Sequence, residues 1–422
     1  MIWIKSTEDN IFASGNEFSS KKGEELKIGS PIGLPIYGFG CAISEICARA
    51  VLGLDEEKQN EILNELFGED NCAFNYCRLS VGANDFADSW YSYDETDGDY
   101  ELKDFSIERD RKYIIPFVKK AQKLSKDLYF CASPWSPPTW MKFPKIPNGG
   151  KLVQTPENLS AYARYLRKFI DAYAQEGIKV KHLNFQNEFT LLQKWPSCVF
   201  DEKDAENFIA NYLLDEIGDS AEVWYGTINN SRNAAPDFFH HDLFRIMQNE
   251  KCRKGIKGAS FQWAGKSVIT RAYEDFPDMN FACCEIECRD ADNSWDDAMY
   301  MFSNIRHYFR FGCRATVYWN MALENGGLST WEWAQNSLIS VKDGNYRFNY
   351  DFYFIKHFAK YVKPGARFIE TEGTFSTCCA FFQNPDGGIV GVMLNPFEFE
   401  RTITIGEHNF ILSPRSVNTV CF

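Results

Sequence analysis

The sequence has little of what marks several large classes of protein. Basic residues are in the minority, with 45 Lys and Arg against 58 Asp and Glu, a net charge of −13 and no dense basic run. A nucleic-acid partner is therefore not expected. No stretch of about 18 apolar residues is present, so no membrane-spanning helix is predicted. The 14 cysteines include no Cys-x-x-Cys pair, so the usual zinc spacing is missing. We expect no metal and no other cofactor.

The sequence also lacks the pattern of an N-terminal secretion signal. The chain turns polar at Lys5, and no apolar run of signal-peptide type follows. Cys131 and Cys283 lie within strand-like runs, as small buried hydrophobic residues do in proteins of reducing compartments. These features predict a cytoplasmic protein.

What the sequence does contain is a regular alternation of strand and helix patterns. A length of 422 residues favours one large domain with a smaller one. Ser44 and Asp55 suit helix N-caps, one before a helix that starts near residue 44 and one before a helix over 55–67. Strands are predicted for the run into Gly40 and for 74–81, 128–133, 179–187, 222–228, 255–263, 280–287 and 315–321. Further helices are predicted for 106–125, 158–176, 203–217, 238–249, 267–276, 295–311 and 350–362.

Eight strands, most of them separated by a helix, favour an α/β fold of the closed (β/α)8 barrel type, a TIM barrel. A doubly wound open sheet is the alternative, and it would carry a glycine-rich phosphate loop after its first strand. Gly38-Phe39-Gly40 lacks the third glycine of such a loop. Gly265-Lys266-Ser267 resembles the end of another phosphate loop, but that motif requires glycine where Ser260 stands. Both signals favour turns over phosphate binding.

The two ends of the chain follow a different pattern. Short alternating runs at 375–382, 388–394, 401–405 and 409–412 indicate antiparallel strands. Residues 1–30 also read as short strands. We predict a small antiparallel β-sandwich side domain from residues 1–30 and 368–422, and a catalytic barrel over residues 31–367.

Polar residues cluster where the predicted barrel strands end. Gln186-Asn187-Glu188 closes the fourth strand, and Glu285-Ile286-Glu287 closes the seventh. Active sites of TIM barrels lie at this end of the strands. Two carboxylates facing each other there suit double displacement at an acetal carbon, in which one attacks and the other exchanges protons. Because strands alternate their side chains, Glu285 and Glu287 point to the same face and both remain candidates.

Other strand ends add candidate residues around the two carboxylates. Arg78 lies in the second strand and would either hydrogen-bond the nucleophile or form a structural ion pair. Glu45 would either contact a ligand or be a first-turn helix charge. Trp135, Trp263 and Trp319 would wall a site for a pyranose ring, although core packing is the alternative for Trp135. His240 and His241 suit a helix surface better than a metal site.

Four segments resemble glycoside hydrolase family 30. They are Gly38 to Glu45, the Ser-Pro-Trp-Ser-Pro-Pro-Thr-Trp-Met stretch from Ser133, Gln186-Asn187-Glu188 and Glu285 to Cys288. The resemblance keeps its order over nearly the whole chain. It implies a (β/α)8 barrel with a β-sandwich side domain and a retaining, metal-independent glycosidase. The family includes glucosylceramidases, β-glucosidases, endo-β-1,6-glucanases and xylanases.

The resemblance also implies roles for residues. Glu188 matches the acid/base and Glu285 the nucleophile, which favours Glu285 over Glu287. Asn187 matches the residue that holds the sugar 2-hydroxyl. The sequence departs from the family pattern at Phe189, where proline is common, at Cys284, where threonine or serine is usual, and at 289–291, where Gly-Asp-Gly is common. The residues matching the lining of the sugar subsite are Glu45, Trp135, Trp319 and, near the nucleophile, Trp263.

We therefore expect a retaining β-glycoside hydrolase that acts on β-glucosides or related short oligosaccharides. An endo-acting β-1,6-glucanase or a xylanase is the alternative enzyme. A catalytically inactive sugar-binding barrel is the alternative outside enzymes. The expected partner is a carbohydrate substrate, and the sequence does not specify an oligomeric state.

Overall fold

A parallel barrel forms the body of the structure, a computed structural model that describes residues 1–229 and 242–422. Each of its strands pairs in parallel with both neighbours, and the first closes against the eighth. The predicted barrel is therefore confirmed. Its strands are β1 (Gly38–Ile43), β2 (Tyr76–Val81), β3 (Tyr129–Pro134), β4 (Val180–Asn184), β5 (Glu222–Ile228), β6 (Ile256–Gln262), β7 (Asn280–Ile286) and β8 (Cys313–Tyr318).

Helices cover the outside of the barrel. The Ser44 and Asp55 side chains cap the first two helices by accepting from backbone N–H groups, 3.2 Å from Cys47 and 3.0 Å from Lys58, as the sequence predicts. None of the helices in the described ranges has the length and apolar character to cross a bilayer. The helices are α1 (Glu45–Leu52), α2 (Glu56–Phe67), α3 (Ile114–Leu124), α4 (Pro156–Gln175), α5 (Glu202–Phe208), α6 (Leu214–Ile217), α7 (Asp242–Ile246), α8 (Glu250–Gly255), α9 (Lys266–Asp275), α10 (Trp295–Arg310) and α11 (Tyr350–Ala359).

Predicted helix bounds differ from the structure in several places. A π-helical segment, Ile209–Leu213, joins α5 to α6 within the helix predicted over 203–217, and the helix predicted over 350–362 ends at Ala359. The helix expected over 106–125 begins only at Ile114, because the preceding loop is tied down by Asp110. The buried Asp110 carboxylate accepts hydrogen bonds from Tyr91, Tyr93 and Tyr173 at 2.6–2.8 Å, and these tertiary contacts outweigh helix propensity. The helix expected over 238–249 ends at Ile246 in its described part. Residues 238–241, and with them the two histidines, lie outside the described residues.

The side domain is an antiparallel sheet built from both ends of the chain, as predicted. Ile2–Thr7 pairs with Ser416–Cys421, and Lys27–Ile32 pairs with Arg367–Glu372. Ser416–Cys421 is missing from the predicted strands because its buried Asn418 and Thr419 break the apolar alternation. Asn418 accepts from the Trp3 indole at 3.1 Å. The sheet order is Asn10–Ser14, Ile2–Thr7, Ser416–Cys421, Ile389–Asn395, Cys379–Gln383, Arg367–Glu372 and Lys27–Ile32, with His408–Leu412, Arg401–Ile405 and Glu24–Glu25 in a smaller sheet.

Candidate active site

A cavity of about 240 Å³ lies at the carboxyl ends of the barrel strands. It is smaller than the 300–1,000 Å³ typical of drug-sized pockets, so it suits one sugar ring better than a chain of several. Residues from six strand ends converge on it. They are Asp85 after β2, Trp135 after β3, Asn187 and Glu188 after β4, Asn229 after β5, Trp263 after β6, and Glu285 in β7.

A larger cavity of about 800 Å³ lies elsewhere, beside the hairpin of Ile339–Lys342 and Asn345–Phe348. Its charged lining residues, Glu324, Lys342, Asp343 and Arg347, come from loops and the hairpin and not from the barrel strands. We place the candidate site in the smaller cavity because three buried carboxyl groups line it and a buried arginine bonds to one of them.

Glu188 is held by the loops around it. Its backbone φ of +43° lies in the left-handed region, which is strained for a residue other than glycine. Gln193 Nε2 donates to Glu188 Oε2 at 2.9 Å, and Asn229 Nδ2 donates to Oε1. Burial raises the pKa of Glu188, while the hydrogen bonds from Gln193 and Asn229 and the charge of Arg78 lower it. The group can therefore hold a proton more readily than an exposed glutamate.

Glu285 is paired with a fully buried arginine. Arg78 Nη1 donates to Glu285 Oε2 at 2.7 Å, and Arg78 Nη2 donates to Asn187 Oδ1 at 2.6 Å. Burial first, and then the charges of Glu188 and Asp85, raise the pKa of Glu285 well above its ordinary value, against the charge and hydrogen bond of Arg78, which lower it. We assign the negative charge of the site to Glu285, because its carboxylate carries the short charge-assisted bond to the guanidinium.

Asn187 is fixed by three donors on one atom. Besides Arg78, Thr227 Oγ1 donates to Asn187 Oδ1 at 2.9 Å and Gln262 Nε2 at 2.7 Å. With its oxygen occupied in this way, the amide NH₂ group is the part of the side chain that can donate to a ligand. Neither Thr227 nor Gln262 was a sequence candidate, although Gln262 ends β6 and Thr227 lies near the end of β5.

Asp85 is a lining residue that the predicted site set lacks. The sequence places it only as a polar residue after the second strand. It is 6 % exposed, and its Oδ2 accepts from the Trp319 indole at 3.3 Å. Burial and, next, the charge of Glu188 raise the pKa of Asp85 to about 7. A carboxyl group with such a pKa can accept a hydrogen bond from a sugar hydroxyl when charged, and donate one when protonated.

The three candidate tryptophans occupy different places. Trp135 and Trp263 line the cavity. Trp319 stacks on Trp135, with ring centroids 5.2 Å apart and planes 24° apart, and it supports the cavity from behind. The Arg78 guanidinium lies 4.6 Å from the Trp135 ring centroid, a cation–π contact that further fixes both groups.

Glu45 does not join the residues that line this cavity. It is buried in the first turn of α1, where its carboxylate forms an ion pair with Arg109 at 2.9 Å and accepts from the backbone of Asp88 at 2.8 Å. The ion pair and the helix terminus account for its burial, so we do not carry it into the proposed site. Glu287, the other open candidate, follows the last residue of β7 and is likewise absent from the lining.

A group of cysteine and histidine side chains lies buried in the barrel interior. The ligand atoms of Cys131, His182 and Cys284 all lie within 4.8 Å of one another. Structural zinc sites use four protein ligands, one more than this group supplies. The residues come from β3, β4 and β7, so no local spacing in the sequence reveals the group. The usual threonine or serine at position 284 would not contribute a thiol.

Comparison with known proteins agrees with the fold. The glycosyl hydrolase family 30 TIM-barrel domain matches residues 36–362. Lysosomal acid glucosylceramidase of Mus musculus is 27% identical over 402 residues, covering 88% of this chain and 77% of the relative. An endo-1,6-β-D-glucanase of Trichoderma harzianum is 23% identical over 400 residues, covering 88% and 80%.

Solved structures share the same architecture. SrfJ from Salmonella typhimurium superposes with a TM-score of 0.85 at 23% identity, covering 100% of this chain and 98% of that one. An endo-β1,6-glucanase superposes with a TM-score of 0.85 at 22% identity, covering 99% and 98%. At these identities the structures establish the fold, and the domain match establishes the family. The chain therefore belongs to glycosyl hydrolase family 30, and it is a glycosidase.

Proposed function

We propose that the chain is a retaining β-glycosidase that releases a terminal sugar from β-glucosides or related short oligosaccharides. The observation that carries the proposal is the shared cavity of Glu188 and Glu285, with Arg78 bonded to Glu285. Charged Glu285 suits a nucleophile, and Glu188, with a pKa raised by burial, suits an acid/base. Glucosylceramidases and endo-1,6-β-glucanases among the relatives support β-glycosidic substrates.

The reaction would proceed in two displacements. In the first, a Glu285 carboxylate oxygen bonds to the anomeric carbon, the bond to the aglycone oxygen breaks, and Glu188 gives its proton to that oxygen. In the second, water attacks the anomeric carbon, Glu188 takes a proton from the water, and the ester bond to Glu285 breaks. The Asn187 amide would donate to the sugar 2-hydroxyl during both steps.

Exo action is favoured over endo action by the shape of the site. Lys194, in the loop after β4, donates to the backbone oxygen of Glu332 in the loop after β8 at 2.8 Å. This contact joins two loops across one side of the cavity. A polymer threaded through an open groove would have to cross that contact, whereas the end of a short oligosaccharide would not.

Trapping the glycosyl-enzyme tests the assignment of roles. A 2-deoxy-2-fluoro-β-glucoside with a good leaving group should inactivate the wild type and label Glu285, as located by peptide mass spectrometry. The first product seen by proton NMR should be the β anomer. Glu188→Gln should lose turnover of substrates with poor leaving groups and keep the first step with activated aryl glycosides. Glu287→Gln is the matched control and should keep activity, and a label on Glu287 would overturn the assignment.

A cytoplasmic location is part of the same proposal. Its support is the 14 cysteines, all of them in the described ranges and all present as free thiols, as in reducing compartments. Fractionation of the source cells with marker enzymes is the test, and recovery of the protein in the secreted fraction would contradict it.

A further inference from the structure

Two tryptophans that the reaction scheme leaves unused stand at the mouth of the active-site cavity. Trp195 lies in the loop after β4 and Trp333 in the loop after β8, and both are half-buried and line the cavity. Their ring centroids are 5.3 Å apart and their planes are tilted by 38°. Half-exposed indole rings that line a cavity are available to a ligand, whereas core tryptophans are covered.

Hydrogen bonds fix the backbone that carries both rings. Around Trp333, the Ser329 backbone N–H donates to the Trp333 oxygen at 2.8 Å, and the Trp333 N–H donates to Ser329 Oγ at 3.2 Å. Around Trp195, Ser197 Oγ donates to the Trp195 oxygen at 3.2 Å and accepts from the Gly149 N–H at 2.8 Å. The rings therefore form a prearranged surface, which lowers the entropy cost of binding.

The position of this pair relative to Glu188 decides what it can bind. Trp195 follows Glu188 in the same loop, and Gln193, between them, donates to the Glu188 carboxylate at 2.9 Å. An acid/base must reach the oxygen of the leaving group. A ring joined through that oxygen would extend from the Glu188 side of the cavity toward the mouth, where the two tryptophans lie.

We propose that Trp195 and Trp333 form the binding site for the leaving group, and that it takes the second pyranose ring of a β-linked disaccharide. This inference rests on the proposed function. The apolar C–H faces of a pyranose ring suit indole faces, and the polar side chains of Gln193 and Gln335, which also line the cavity, can bond its hydroxyl groups. Gln193 Nε2 also donates to Glu188 and Gln335 Oε1 accepts from Asn320, and an alkyl chain could bond none of the other amide atoms, at a cost in binding.

Kinetics with two leaving groups tests the proposal. A β-glycosyl fluoride of the sugar that the enzyme releases has a single-atom leaving group, and the β-linked disaccharide has a full ring. Trp195→Ala and Trp333→Ala should each lower kcat/KM for the disaccharide about tenfold, since ring contacts of up to about 1.5 kcal/mol are lost. The loss with the fluoride should be several times smaller. Leu192→Ala is the control, because Leu192 is 74 % exposed in the same loop and packs on Gly149 outside the cavity.

A second measurement does not depend on the first displacement. Added glucose should speed the recovery of the 2-fluoroglycosyl-enzyme by accepting the sugar from the leaving-group site. Recovery should be accelerated in the wild type and in Leu192→Ala, and much less in Trp195→Ala and Trp333→Ala.

The outcomes separate this inference from the proposed function. A wild type that is inactive on both the fluoride and the disaccharide would overturn the proposed function. An active wild type whose tryptophan variants match Leu192→Ala on both substrates would overturn the leaving-group site alone. A greater loss on an octyl β-glycoside than on the disaccharide would overturn the sugar ring as its occupant. Trp195→Phe should recover most of the disaccharide activity, and this distinguishes ring contact from misfolding.

Discussion

Replacing Asp85 with asparagine should make the protein more stable and less active. The Asp85 carboxyl is buried, and burial together with the charge of Glu188 raises its pKa to about 7. Asparagine has nearly the same shape and keeps an oxygen for the Trp319 indole, but it never ionises. The substitution therefore removes the cost of a buried charge while keeping the packing.

The size of the stability gain in Asp85→Asn follows from the pKa shift of Asp85. A rise of the Asp85 pKa from the ordinary value of 3.8 to about 7 corresponds to at most about 4 kcal/mol of stability at pH values above 7. Because the folded state holds the proton more tightly, the wild type loses this stability as the pH rises from about 4 to about 7. At about 2.1 cal/mol/K per residue, unfolding of the whole chain in one step would convert this into a Tm gain of about 4 °C for Asp85→Asn.

Thermal melts from pH 4 to pH 8 measure this effect. The Tm difference between Asp85→Asn and the wild type should be near zero at about pH 4, grow to about pH 7 and then level off. Asp127→Asn, at an exposed position, should show no such trend. In parallel, kcat/KM of Asp85→Asn should fall by about 10- to 100-fold, because the hydrogen bond that a sugar hydroxyl donates to the charged carboxylate is lost. A Tm difference that stays flat across the pH range would refute the argument.

Two further substitutions probe the carboxylates through their partners. Arg78→Lys keeps the positive charge but loses the two-NH₂ guanidinium that bonds to Glu285 and Asn187 together, so kcat should fall about 100-fold. Steady-state kinetics measures the change, and a loss below threefold would contradict the role of the Arg78 bonds. Gln193 lowers the pKa of Glu188 through its hydrogen bond, so Gln193→Leu should raise that pKa and move the basic limb of the kcat/KM profile to higher pH. The limb should stay in place in Leu192→Ala, and a shift to lower pH in Gln193→Leu would contradict the assignment of Glu188 as the acid.

The barrel is predictable from sequence because each of its strands is a short apolar run between helices with one apolar face. The positions of the N-caps Ser44 and Asp55 follow from local chemistry alone. The helix predicted over 106–125 begins only at Ile114, for a reason that is not local in the sequence. Asp110 satisfies three tyrosine hydroxyl groups from two distant segments, and no window along the sequence contains that information.

The site residues also divide into those that the sequence reveals and those that only the fold brings together. Glu188 and Glu285 can be found because polar residues that end buried strands have no packing role. Gln193, Trp195 and Trp333 come from loops without periodicity, so only the fold brings them to the cavity. Glu45 shows the reverse case, since its place after the first strand suggests a ligand contact, while Arg109 from a distant loop draws it into an ion pair.

The electrostatics of the site follow from a mismatch of charges. Three buried carboxyl groups, those of Asp85, Glu188 and Glu285, line one cavity, and among the described residues one arginine, Arg78, bonds to them, through Glu285. One positive charge can balance one of them, and the bond to Arg78 selects Glu285. Because the groups interact, their protons leave in steps that belong to the cluster as a whole. A site of this kind keeps an acid and a base side by side near neutral pH, as double displacement requires. Its stability and its activity therefore depend in opposite ways on the Asp85 charge.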